Sequence, residues 1–340
     1  MDLTLTTYGA YLHVKDECFE VKAEGNKAQF SPKKITSIYI ATSAALSTDA
    51  VKLALDNNID IVFLDDYQGA YARVWFPKIG STVKIRRKQL EVSDKQQGIE
   101  LAKEWMLKKV DNQIVFLKEL GYKRPAKKQL FEESLARINR YKTKLSPVKT
   151  QDFASQDFAS PFTQPPSQYI PTIMGIEGNI SRKYFAVLSD IMPKGFEFKG
   201  RSRQPALDKF NAMLNYGYGV LYSLVEKACI IAGLDPYIGF VHADNYNKKS
   251  LVFDIIEIFR IYTDIPVTRI CTGKRINADC FDALSGGGVS LNKTGKKEFL
   301  VYYYKYLDEK IRYRNRQVSR KTTIQLECHH IAQQLLKMDI

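Results

Sequence analysis

Glu177 and Asp254 are acidic residues set among apolar neighbours, and His242 lies between them in the chain. At about 100° per residue, a helix that puts Glu177 at zero puts Leu188 at about 20°, Tyr184 at about 340° and Met174 at about 60°. Arg182, Lys183 and Asp190 fall on the opposite side, so Glu177 sits inside the apolar stripe. An ionised carboxylate there is costly unless it is paired or bound to metal. A helix that breaks at Gly178 would instead leave Glu177 a solvated N-terminal carboxylate. The stretch 250–263 repeats the anomaly: with Leu251 at zero, Asp254 falls at about 300°, between Ile261 at about 280° and Ile258 at about 340°. Glu257, three residues on, lies at the polar margin of the same surface. A salt bridge to a basic side chain would also account for Asp254. His242 follows Gly239-Phe240-Val241, where a hydrogen-bonded core histidine is the alternative to a ligand. Two carboxylates and one imidazole suit a hard divalent cation, Mg2+ or Mn2+. Such an ion would act naturally on a phosphodiester, by polarising its oxygen and activating water or a 3′-hydroxyl.

The elements that must position these residues fall into two parts. Residues 1–76 read as strands with one short helix. Leu3–Thr7, Tyr11–Val14, Phe19–Lys22, Ile35–Ile40, Ile61–Leu64 and Tyr71–Trp75 supply the strands, with Asp16-Glu17 as a turn. Thr48-Asp49 offers a cap for a helix whose apolar face is Val51, Leu53, Ala54 and Leu55. Residues 77–93 read as a basic linker. Residues 94–340 read as a mostly α-helical domain, with helices over 94–120, 129–145, 171–191, 207–233, 250–263 and 294–337. The fold class expected is therefore α+β. Gln-Asp-Phe-Ala-Ser occurs twice in tandem at 151–160, followed by Pro161, Pro165 and Pro166, so about 147–168 is expected to be a flexible loop. Gly286-Gly287-Gly288 lacks the context of a phosphate-binding loop and reads as a turn.

Charge narrows the class of partner. The chain holds 51 Lys and Arg against 37 Asp and Glu, a net +14 over 340 residues. Residues 1–75 carry a net −3 and the remainder a net +17, so the helical part is the one that would draw in a polyanion. No apolar run approaches the roughly 18 residues of a membrane span, and residues 1–14 have no signal-peptide pattern. The five cysteines form no Cys-x-x-Cys pair, which argues against a zinc ribbon or a disulfide framework. A cytoplasmic, reducing location is expected. Cys328-His329-His330 place adjacent side chains in different directions on a helix and make a poor zinc site.

Four motifs in order carry a resemblance. They are Gly175-Ile176-Glu177-Gly178 with Arg182-Lys183-Tyr184-Phe185; Arg201-Ser202-Arg203-Gln204-Pro205 with Asn211 through Tyr218; Gly233 through His242; and Ser250 through Arg260. Together they resemble the CRISPR-associated protein 1 family, the integrases of spacer acquisition. The resemblance implies a small N-terminal β domain used for homodimerisation and a helical catalytic domain. It implies metal-dependent transesterification, in which the 3′-hydroxyl of a captured DNA fragment attacks a phosphodiester at the CRISPR repeat. Endonuclease and disintegration activity on branched DNA, and a complex with CRISPR-associated protein 2, belong to the same expectation. Glu177, His242 and Asp254 match the family's metal ligands. Glu257 stands where some members carry an aspartate, and so is a candidate supporting carboxylate.

Arg182, Lys183, Arg201, Arg203, Lys248 and Arg260 are candidates for phosphate contacts, which position DNA without reading its sequence. Arg260 has the alternative of pairing with Glu257, and Tyr184 is a candidate for stacking on a base. Two other readings stay open on the sequence alone: a branched-DNA nuclease or transposon-type integrase outside adaptation, and a non-catalytic DNA-binding scaffold.

Overall fold

The structure, a computed structural model, describes residues 2–64, 70–75, 83–145, 169–242 and 248–338. The chain opens with strands β1 (Asp2–Leu5), β2 (Ala10–Lys15), β3 (Cys18–Ala23), β4 (Asn26–Phe30), β5 (Ser37–Ile40) and β6 (Ala44–Leu46). Helix α1 (Thr48–Asp56), β7 (Asp60–Leu64) and β8 (Ala70–Val74) follow. Asp16 and Glu17 both take positive φ, the backbone of a tight hairpin turn. The α1 cap is one residue earlier than expected: Ser47, not Thr48, accepts from the Ala50 amide at 3.1 Å.

Two four-stranded sheets result. One has the order β4-β3-β2-β6 and the other β1-β5-β7-β8, in which β5 runs parallel to both β1 and β7. The second sheet is buried on both faces, which explains its continuous apolar runs. Ile38, Ile40 and Ile61 point into the core of the β domain. Tyr39, Val62 and Leu64, one residue out of phase, point into the large core of the helical domain.

The helical part consists of α2 (Val83–Ser93), α3 (Gln96–Tyr122), α4 (Lys128–Leu145), α5 (Tyr169–Asp190), α6 (Lys209–Ala232), α7 (Ser250–Phe259) and α8 (Ile261–Thr272). A hairpin of β9 (Phe281–Ala283) and β10 (Val289–Leu291) precedes α9 (Lys293–Asp308). A second hairpin, β11 (Lys310–Tyr313) and β12 (Arg316–Ser319), leads into α10 (Arg320–Lys337).

Three expectations need correction. The expected linker 77–93 is helical over Val83–Ser93, because Gln89 and Val92 there are fully buried. The helix expected over 250–263 is divided at Arg260, between α7 and α8. The helix expected over 294–337 is two helices with the β11–β12 hairpin between them. Four-residue strands give too short an alternation to stand out beside helical periodicity. The glycine run 286–288 does lie in a turn, between β9 and β10, with Gly287 at φ +78°. The duplicated segment at 151–160 lies outside the described residues.

An acidic–basic junction fixes the β domain to the helices. Asp60, on the outer face of β7 and nearly inaccessible, accepts from Arg73 of β8 at 2.9 Å and from Lys227 of α6 at 2.5 Å. The same lysine donates to Thr36 O and Ser37 Oγ, and Arg73 also reaches Ser223 of α6. Lys321 of α10 closes on Asp2 at 2.5 Å.

Candidate active site

Glu177 is carried by α5, which runs unbroken through Gly175 and Gly178 from Tyr169 to Asp190. The Gly178 break is thereby excluded. The Glu177 side chain is 18% exposed; its Oε1 accepts from Lys109 Nζ and from Ser181 Oγ. Lys109 comes from α3 and is itself buried. Its ammonium also meets Glu257 Oε2 at 2.5 Å, and Glu257 Oε1 pairs with Arg260 at 2.7 Å. The Arg260 guanidinium lies 4.7 Å from the centre of the Tyr218 ring. Charges thus alternate along a ladder, Glu177–Lys109–Glu257–Arg260, across α5, α3 and α7. Burial works to raise the Glu257 pKa, but Arg260 and Lys109 outweigh it and hold the carboxyl at about 2. Burial works to lower the Lys109 pKa, and the attraction of Glu257 and Glu177 overcomes it.

His242 and Asp254 form a second unit. Asp254, 3% exposed on α7, accepts from the backbone amides of Phe240 at 2.6 Å, Val241 at 3.2 Å and His242 at 3.1 Å. Its Oδ1 also lies 2.6 Å from His242 Nδ1. A carboxylate oxygen only accepts here, so we assign the ring proton to Nδ1, which leaves the Nε2 lone pair free. The loop that carries His242 is pinned from behind by Gln89 of α2, which bonds Asp235 O, Asp235 N and Ile238 O at 2.8–2.9 Å. Gly239 is required there, since a Cβ would come within 2.6 Å of Ser250 Cβ.

Glu177 and His242 line one cavity of about 630 Å³, together with Lys109, Glu257 and Tyr218. Seven basic side chains face it against two carboxylates, a field suited to a phosphate backbone. Asp254 does not line it. For a divalent ion the donors fit in kind, two carboxylates and an imidazole, but not in arrangement. Among the described residues no three metal-binding side chains are grouped. Lys109 occupies the Glu177 carboxylate, and Asp254 is spent on the loop amides and on His242. In this structure Asp254 orients the histidine, as carboxylates do behind ligating imidazoles.

The candidate phosphate contacts divide. Arg182, Arg203 and Lys248 line the cavity, with Arg182 and Arg203 exposed. Arg201 also lines it, but its guanidinium bonds Asn211 Oδ1 at 2.6 Å and Asn215 Oδ1 at 2.7 Å, which fixes the loop that carries Arg203. Arg260 is committed to Glu257. Lys183 is half-buried and does not line the cavity. Tyr184 is fully buried, edge-on to Phe185 at 5.2 Å, so the stacking expectation is corrected: its place on the apolar stripe leads into the core. Lys109 and Ser181 were missed. The wheel that singled out Glu177 would have flagged Lys109, which falls at about 280° beside Ala102 at about 300° when Ile99 is at zero.

The family model for CRISPR-associated protein Cas1 matches residues 3–305. A relative from Archaeoglobus fulgidus, named CRISPR-associated endonuclease Cas1 1, is 32% identical over 340 residues, covering 97% of this chain and 95% of its own. Among solved structures, a casposase bound to integration product superimposes with a TM-score of 0.82 at 24% identity, over 98% of this chain and 90% of that one. The Cas6-RT-Cas1–Cas2 complex gives 0.76 at 17% identity, over 98% of this chain and 35% of that one. With α2 through α8 and the four ordered motifs inside the matched span, this chain belongs to the Cas1 family of CRISPR-associated proteins.

Proposed function

We propose that this protein is the integrase of CRISPR adaptation. It joins the 3′-hydroxyl of a captured DNA fragment to the edge of the CRISPR repeat by transesterification, and cuts or disintegrates branched DNA. The observation that carries this reading is the meeting of Glu177 and the free nitrogen of His242 on one strongly basic cavity, in a Cas1 chain. The bond from the 3′ oxygen to phosphorus forms as the bridging P–O bond of the repeat breaks. Arg182, Arg203 and Lys248 hold phosphates on either side of that bond. Arg201 keeps the Arg203 loop in place, and Lys109 holds Glu177 against the cavity wall. Glu177 and His242 would hold Mg2+ or Mn2+ from the cavity. Asp254 joins them only by releasing His242 Nδ1 or its loop amides. When bound, such an ion polarises the phosphoryl oxygen.

The partners proposed are double-stranded and branched DNA, a second copy through the β domain, and CRISPR-associated protein 2. Two fold neighbours, a casposase with its integration product and a complex that contains Cas1 and Cas2, support this reading. Among the described residues no helix is long and apolar enough to cross a membrane, which is compatible with work in the cytoplasm.

Strand transfer tests the proposal. A labelled fragment and a repeat-bearing plasmid are incubated with the protein, with and without the Cas2 partner, in Mg2+, Mn2+ or EDTA. Metal-dependent joining at repeat boundaries, lost in Glu177→Ala, is expected. Cleavage of branched DNA without joining in complete reactions would favour the nuclease reading, and binding with neither would favour a scaffold.

A further inference from the structure

The β11–β12 hairpin takes no part in the cavity, yet with the first residues of α10 it carries a long run of positive charge. Residues 310–321, Lys-Ile-Arg-Tyr-Arg-Asn-Arg-Gln-Val-Ser-Arg-Lys, hold six basic residues and no acid. The register pairs Lys310 with Ser319, Ile311 with Val318, Arg312 with Gln317 and Tyr313 with Arg316. Paired residues share a face, so the ribbon has two unlike sides.

Its inner side is anchored. Ile311 and Val318 are half-buried, and the Tyr313 hydroxyl donates to Glu327 of α10. Glu327, 3% exposed, also accepts from Arg314 at 3.1 Å and from Lys108 of α3 at 2.5 Å. Arg314 and Asn315 both take positive φ and close the hairpin in a tight turn. The outer side presents Lys310 and Arg312, and Arg316, which pairs with Tyr313 on the other face, is exposed beside the turn. Arg320 and Lys321 are already paired with Glu309 and Asp2. Among the described residues, Lys310, Arg312 and Arg316 have no carboxylate partner.

We propose that this ribbon is an additional duplex-DNA-binding arm, gripping the phosphates of a double helix outside the candidate active site. The inference rests on the DNA-joining reading above. A two-stranded β-ribbon is a shape that the major groove of a duplex admits. The outer side carries no aromatic ring, which a single-strand platform would need for stacking; Tyr313 is turned inward. Lys108 holds the ribbon's anchor while the next residue, Lys109, walls the cavity. Successive residues on a helix point about 100° apart, so ribbon and cavity flank the same stretch of α3 on different sides. A duplex on the arm and a strand in the cavity would then be held by one rigid helix.

The test is equilibrium binding of the full-length protein to a fluorescent duplex of about 20 base pairs, across a salt series. The triple variant Lys310→Gln, Arg312→Gln, Arg316→Gln should bind about 10-fold more weakly. Its slope of log affinity against log salt should be shallower by up to about 2.7, since each of the three lost phosphate contacts removes about 0.9. Gln317→Glu places a single negative charge on the exposed outer side and should weaken binding about 3-fold; it decides the matter if the triple variant does not fold. Folded variants with wild-type affinity and slope would overturn the arm and leave the DNA reading intact. A loss confined to single-stranded DNA would also overturn it. Failure of the wild-type protein to bind duplex would overturn the arm and the DNA reading together.

Discussion

Two buried ionic networks in this molecule use the same side-chain types to opposite ends. At the junction of the domains, Asp60 is enclosed by Arg73 and Lys227, and none of the three lines the cavity of the candidate active site. In the cavity, Glu177 is bound by Lys109 on one side and stays 18% exposed on the other. The enclosure of Asp60, 1% exposed, makes the first a fastener. An open side makes the second a place where charge can be exchanged for that of a substrate. Burial and pairing alone do not separate structural from functional charge; what separates them is whether a cavity reaches the group.

The sharpest way to break this contrast is in the cavity. Glu177→Gln keeps the shape and a hydrogen-bond acceptor for Ser181 but removes the charge; strand transfer should fall about 100-fold or more, with the thermal midpoint nearly unchanged. Equal losses of activity and stability would remove the distinction. At the junction the opposite is expected. Asp60→Ala leaves Lys227 without its carboxylate and Arg73 with only the longer contact to Glu226 at 3.6 Å, a cost of about 3 kcal/mol, read by denaturant titration, while strand transfer per folded molecule is retained.

Asp254→Asn lies between the two. The amide accepts from the loop but cannot accept from His242 Nδ1–H through its nitrogen, and the imidazole loses its fixed proton. Activity should fall about 10- to 100-fold, with a smaller loss of stability. The smallest effect is a pH dependence. The Glu257 pKa is about 2 in the folded chain against about 4.3 for a free glutamate. Its pairing therefore stabilises fully above about pH 4.3 and is lost as pH falls towards 2. The unfolding midpoint should drop over that window, and Glu257→Gln should flatten the drop.

The sequence made the strongest elements legible where their pattern was long. The strands at 37–40 and 60–64 and the helix around Glu177 follow from hydrophobic period and from a charge in the wrong place. The same wheel argument that located Glu177 and Asp254 was silent on what satisfies them, because Lys109 and the 240–242 amides come from elements distant in the chain. Tyr184 shows the limit from the other side: an aromatic near a functional acid looked available, yet its place on the apolar stripe takes it into the core. The β11–β12 hairpin and the division at Arg260 escaped because short elements next to long helices leave no period of their own.

The two-sided sheet has a consequence for synthesis. β5 and β7 are made early, but Tyr39, Val62 and Asp60 face a helix far downstream: Asp60 meets Lys227, 167 residues later. At roughly 5–20 residues per second on the ribosome, an apolar and partly acidic sheet face stands uncovered for about 8 to 33 seconds. During that interval the nascent β domain is a natural client for a chaperone, and the acid set in that face is a gatekeeper against premature association between neighbouring chains.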